Sequence, residues 1–290
     1  FGLQWTIPVQ GCLTPLLNAY NVGMNAGDIE NALWSIFQYL LFSFQAGKPL
    51  NVIEADFAVY VPHMEEGSRH IIADISKMLW RAVSGLMGQS KDHARQRKSG
   101  VEQSDNHMHK QHLEGFERIE RGYYGDYEQC AESALKFGNG FQKACPGAPF
   151  PVVDMFVSAL SYFVMTRRTG KSRYKREAKR ISAWITGWVK QGNPNARHWK
   201  ALLDAEMAAL ERQNKAAIKN YELAVELAIR GGFIHDAAIA NARWGEFALD
   251  YLSDRKGAES RLLESLRLCR EWGALGKVEK MKAKYSDLLS

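Results

Sequence analysis

Four groups of residues carry side chains and spacings that invite chemistry. Thr169-Gly170-Lys171-Ser172 ends as a phosphate-binding loop does. That loop also needs a glycine at 165 and a strand leading into it, so that successive backbone N–H groups can cradle phosphates. Met165 stands there, and the residues before it have helical spacing. A helix-ending glycine followed by a capping serine is the simpler reading. Around it lie Arg167, Arg168, Lys171, Arg173, Lys175, Arg176, Lys179 and Arg180, the one concentrated positive stretch of the sequence. Such a stretch attracts an acidic protein surface or a phosphate backbone. No interleaved aromatic platform or groove-reading motif accompanies it, which disfavours nucleic acid.

His107, His109 and His112, with His93 upstream, suggest metal ligation, but they sit in a polar segment without a nearby cysteine. Zinc sites draw on rigid elements and mix histidine with cysteine or carboxylate, so these histidines read as members of a polar loop. Glu206 with Glu211, and Asp56 with Glu65 and Glu66, could form acid–base pairs. None has a nucleophile or histidine at useful spacing, so they read as helix-surface carboxylates. No catalytic residue, metal or cofactor is assigned.

The elements that would position these groups are helices. Leu33, Phe37, Leu40, Leu41 and Phe44 recur on one helical face, with Asp28 as N-cap and Gly47 and Pro49 at the far end. Leu50–Glu66 predicts a second helix, bent or ended near Pro62, and Ser68 caps a third that runs to about Met87. Residues 88–112 are almost wholly polar and predict a mobile loop, since they cannot bury enough apolar area to offset ordering entropy. Helical spacing resumes over 113–123 and 126–137. A Pro/Gly loop follows over 141–151, then helices over 152–168, 173–190, 196–212, 214–230, 235–253, 255–271 and 274–285. No segment alternates as a strand does, so the predicted fold class is all-α. Trp184, Trp188, Trp199, Trp244 and Trp272 are expected as wedges between stacked helices.

An internal echo refines that fold. Ala217, Tyr221, Ala224, Leu227, Ala228 and Gly232 form a small, apolar face ending in glycine, and a shift of 41 residues gives Ala258, Leu262, Ser265, Leu268, Cys269 and Gly273. Self-similarity at such a period marks helix-pair repeats, in which each unit buries its face on a neighbour. A second echo links Gly27-Asp28-Ile29-Glu30-x-Ala32 with Gly125-Asp126-Tyr127-Glu128-x-Cys130, each at a turn between helices. The expected architecture is an α-solenoid of antiparallel, tetratricopeptide-like helix pairs. Its N-terminal segment is 1–87, and 113–290 continues the same stack beyond the loop.

At this point the residues resemble a family. His198-Trp199, Tyr221-Glu222-x-Ala224-x-Glu226-Leu227-Ala228, Gly232-Phe233-Ile234-x-x-Ala237 and Trp272-Gly273-Ala274-x-x-Lys277-Val278 are similar to the tetratricopeptide-like region of large STAND/AAA-type predicted-ATPase signalling proteins. So are Tyr285-x-x-Leu288-Leu289 and the earlier Ala46-Gly47-Lys48-Pro49-Leu50. In that family the helical region follows an ATPase module and often precedes GAF and histidine-kinase modules, sometimes with a serine/threonine kinase at the front. The resemblance implies a regulatory or protein-interaction segment that is not itself an enzyme.

Composition sets the remaining expectations. The 290 residues are 46% hydrophobic with a net charge of +6, which supplies a core and excludes general disorder. The four cysteines, Cys12, Cys130, Cys145 and Cys269, have neither paired spacing nor a CxxC, which points to reduced, buried thiols in an intracellular, cytoplasmic protein. The chain opens on Phe1 without an N-terminal signal pattern and reads as a fragment. Its most apolar run, Leu33–Phe44, is too short to span a bilayer, which takes about 20 residues. The partner is therefore expected to be a protein, a peptide or a neighbouring module of the same parent chain. The rival expectations are a nucleotide-binding or ATPase-associated enzyme fragment using Lys171, and a nucleic-acid adaptor using 167–180.

Overall fold

Asp28 starts the first long core helix by accepting from the Asn31 backbone N–H at 3.4 Å, and Gly47, at φ 74°, ends the turn after it. Asp254 caps a later helix in the same way, and left-handed glycines recur through the computed structural model, which describes residues 2–66, 70–89, 107–145, 148 and 150–289. Among these residues there are fourteen α-helices and no strand. They are α1 (Leu13–Ala26), α2 (Ile29–Gln45), α3 (Leu50–Glu66), α4 (His70–Leu86), α5 (His107–Tyr124), α6 (Tyr127–Phe137) and α7 (Gly140–Ala144). Then follow α8 (Phe150–Thr169), α9 (Ser172–Lys190), α10 (Arg197–Leu210), α11 (Asn214–Arg230), α12 (Ile234–Leu252), α13 (Arg255–Trp272) and α14 (Leu275–Lys284). No described helix is long and apolar enough to cross a membrane.

Three local expectations are corrected. Helix α5 begins at His107, so the polar loop predicted over 88–112 does not extend to its C-terminal end; residues 90–106, like Ser68, lie outside the described residues. Helix α3 runs through Pro62 without ending. Pro62 and Ala58, whose carbonyl loses its N–H partner, both lie on the exposed face, where water replaces the lost bond. The Pro/Gly stretch after 140 contains the short α7, held by Phe141, which is buried against Phe116 and His112.

Neighbouring helices pair as hairpins: α1 with α2, α3 with α4, α5 with α6, α8 with α9, α10 with α11, and α12 with α13. Successive hairpins pack on one another through α8 on α10, α11 on α12 and α13 on α14. Ala217, Tyr221, Ala224 and Ala228 are buried, as are Ala258, Leu262, Ser265 and Cys269 at the positions 41 residues on, whereas Leu227 is half-buried and its counterpart Leu268 buried. Gly232 and Gly273 end the two stretches at φ 75° and 91°.

The N-terminal helices return to the C-terminal hairpins. Helix α4 touches both α5 and α14, and α2 touches α8. Gly88 and Gly276 meet backbone to backbone, so closely that a Cβ on Gly276 would lie 2.9 Å from Gly88 Cα. The first residues are tied to the far end of the chain: Asn195 accepts from Val9 N–H at 2.9 Å and donates to the Gln4 and Ile7 carbonyls. Gln10 Nε2 donates to the Gly231 carbonyl at 2.8 Å.

Where these parts meet, Phe44, Tyr123, His235 and Trp272 form an aromatic core from α2, α5, α12 and α13. Asp236 lies buried beside it and accepts from Tyr123 Oη (2.8 Å), His198 Nε2 (2.7 Å) and Trp199 Nε1 (2.8 Å). Burial would raise this carboxyl. The fields of His235 and His198 and its hydrogen bonds outweigh burial and hold it at about 2. Among the five tryptophans expected to act as wedges, Trp199 and Trp272 are fully buried, Trp188 and Trp244 are half-buried, and Trp184 is exposed beneath the Arg180 guanidinium.

Candidate anion-binding cavity

The predicted basic stretch divides at Gly170. Thr169 ends α8, Gly170 takes φ 67°, and Lys171 N-caps α9, which Ser172 opens. A helix rather than a strand leads into this turn, so the geometry of a phosphate loop is absent there. Lys171, Arg173, Lys175, Arg176, Lys179 and Arg180 follow along the outer surface of α9 and its N-terminus, where Lys175 is half-buried and the others exposed. Glu177 partly neutralises this face by pairing with Arg176 and Arg180.

Arg167 and Arg168, one turn before the glycine, belong to a different environment. Arg167 is half-buried, its side chain nearly enclosed and ion-paired with Glu206 of α10. Glu206 is fully buried, which corrects its expected place on a helix surface. It also accepts from Tyr221 Oη (2.9 Å) and from Arg243 Nε (2.9 Å) and Nη2 (3.2 Å). Burial pushes its carboxyl up despite the two guanidinium groups. The sequence carried a signal for this: Glu206 falls on the helical face of Leu202, Ala205 and Ala209, where a solvated carboxylate would not sit.

Above this network a cavity of about 400 Å³ opens between α8, α12 and the end of α14. Arg167, Arg168, Arg243 and Lys284 line it, together with Glu246 and Asp250. Glu246 is saturated: Arg243 Nη1 pairs with it, Lys284 Nζ donates at 2.6 Å and Tyr285 Oη at 2.5 Å. The Arg167 guanidinium lies 5.5 Å over the Tyr251 ring. Arg167, Arg243, Glu246, Tyr251, Lys284 and Tyr285 hold one another across α8, α12 and the end of α14 and form one side of the cavity.

Two charged groups at the cavity remain without a hydrogen bond or ion pair among the described residues, Arg168 and Asp250, and both are exposed. Burial and then the neighbouring Glu246 push the Asp250 carboxyl upward. A ligand with an acidic group for Arg168 and a hydrogen-bond donor for Asp250 complements this pair. Sequence reasoning found Arg168 but not Asp250, Arg243 or Lys284, since only the packing of α8, α12 and α14 brings them together. Among the described residues no cluster of histidine, cysteine, aspartate and glutamate has the geometry to hold a metal ion. His112 is not in a loop but buried on α5. No protein-family model, curated protein or solved structure matches this chain.

Proposed function

We propose that the chain is a non-catalytic helical-repeat scaffold that binds a segment of another protein, or of a neighbouring module, in the cavity between α8, α12 and α14. In this reading the hairpins from α8 onward are tetratricopeptide-like repeats, and their stacking serves to bring distant side chains to one recognition surface. The observation that carries it is the cavity in which every charged group but Arg168 and Asp250 is hydrogen-bonded or ion-paired among the described residues. A peptide supplies both complements along one backbone: an acidic side chain or carboxy-terminus for Arg168, and N–H groups for Asp250. The resemblance to STAND-type ATPases supports a regulatory role in a larger parent, in which occupancy of the cavity would bias the state of an adjoining module.

Selection of a random peptide library on the wild-type chain, with counter-selection on Arg168→Glu, tests the proposal. The expected result is a set of peptides sharing an acidic residue, whose binding is lost in Arg168→Glu and weakened by added salt. Peptides indifferent to Arg168, or none at all, would refute the cavity as the site. Saturable ATP binding abolished by Lys171→Ala would instead establish the nucleotide-binding alternative.

A further inference from the structure

A second cavity, of about 420 Å³, lies among the N-terminal helices and has an apolar lining where the first is charged. Phe37 and Leu41 of α2, Ile75 of α4, Phe116 of α5, Phe141 of α7 and Phe150 of α8 give it apolar walls. Its volume falls within the range of small-molecule sites, roughly 300–1,000 Å³. At its edge Cys145 Sγ lies 2.8 Å from His112 Nε2. The imidazole is buried and held edge-on against the Phe141 ring at 5.6 Å. Cys12, Cys130 and Cys269 are buried, whereas Cys145 is reachable.

Gln38 lines the same cavity with only 9% of its surface exposed, and its amide makes no hydrogen bond to a described residue. That amide keeps contact with solvent at the cavity wall, where it can bond a ligand's polar group. Gln38 and Trp34 also line an adjoining cavity of about 260 Å³, so an extended chain has room to continue past them.

We propose that Cys145 is an acyl-acceptor site: its thiol takes a long-chain acyl group from a small-molecule acyl thioester, and the apolar cavity houses the chain. In the tautomer protonated on Nδ1, His112 Nε2 accepts the Cys145 proton as Sγ attacks the thioester carbonyl carbon. The new Sγ–C bond forms, the carbon–sulfur bond of the donor breaks, and the departing thiolate takes the proton back from Nε2. One thioester replaces another, so no oxidant or reductant is needed. Burial pushes the Cys145 thiol up to about 11, so it rests protonated and requires a base at the moment of attack. The modification happens once per chain and is compatible with a scaffold that does not turn over.

Incubation of the full chain with palmitoyl-CoA, followed by intact mass spectrometry, tests this. The expected result is the mass gain of one palmitoyl group, released by neutral hydroxylamine, abolished in Cys145→Ala and retained in Cys12→Ala. His112→Gln should slow the initial rate about a hundredfold or more, the lower end of general-base contributions. Acetyl-CoA should react far more slowly than palmitoyl-CoA, because it leaves the cavity empty. Should Cys145→Ala misfold, the wild type still decides the matter, since excess palmitate must inhibit the reaction. No mass gain, a gain that persists in folded Cys145→Ala, or equal rates for acetyl and palmitoyl donors would overturn the proposal.

Discussion

Adjacent on α8, Arg167 turns into the ion-pair network around Glu206, whereas Arg168 reaches the cavity mouth with no partner among the described residues. Sequence placed both in one basic patch with Lys171–Arg180, because composition registers charge but not the direction a helix faces. The buried pairs follow a common rule: a charge removed from water persists where its hydrogen bonds are complete. Arg118 and Asp154 meet that rule, with Nε to Oδ1 at 2.7 Å and Nη2 to Oδ2 at 2.8 Å, both side chains buried. Asp154→Ala leaves a guanidinium in the core without its fork partner and should lower unfolding stability by about 3–5 kcal/mol. Urea denaturation checks this, and a loss below about 1 kcal/mol would show that Arg118 finds another partner or reaches water. Cys145 and His112 were invisible as a pair, since 33 residues separate them and each lies in a stretch that reads as loop.

At the scale of the helix, the period-3.6 pattern located nearly every element from Asp28 onward, because apolar burial on one face decides helix formation more than propensity does. The failures fall where that signal is weak. The polar start of α5 is anchored from its second turn by His112, buried against Phe141 of α7, a contact its own composition does not announce. The paired turns at Asp28 and Asp126 look alike in sequence, yet only Asp28 caps its helix; Asp126 makes no cap bond and pairs instead with Lys280 of α14. The crossing of α4 and α5 contains a titratable contact. Glu120 of α5 lies over Gly85 of α4, where a side chain at 85 would collide with its carboxylate. Burial pushes Glu120 up to about 7, with Arg81 opposing and Glu117 adding to the shift. A carboxyl raised on folding contributes stability below its ordinary value, and that contribution is lost as pH rises toward 7. Glu120→Gln should therefore raise the urea midpoint at pH 8 relative to wild type and change it little at pH 4. A midpoint unchanged at pH 8 would place the Glu120 carboxylate in water.

For the whole molecule, the 41-residue echo marked two helices with similar buried faces, although Leu227 is half-buried where Leu268 is buried. It could not show that the chain returns on itself. The contact of Gly88 with Gly276, and those of Gln4, Val9 and Gln10 with Asn195 and Gly231, join residues far apart in sequence and leave no periodic trace. That return brings α2 and α4 onto α5, α7 and α8 around an apolar chamber, while a charged one lies among α8, α12 and α14. The charged chamber bears the central claim, that this scaffold reads an acidic peptide through Arg168 rather than through the basic face of α9. The dissociation constant of a selected acidic peptide for wild type, Arg168→Glu and the double variant Lys175→Glu/Lys179→Glu decides between these surfaces. The account predicts at least about a tenfold loss for Arg168→Glu, worth about 1.4 kcal/mol, and little change for the double variant. Loss in the double variant with Arg168→Glu binding as wild type would contradict it.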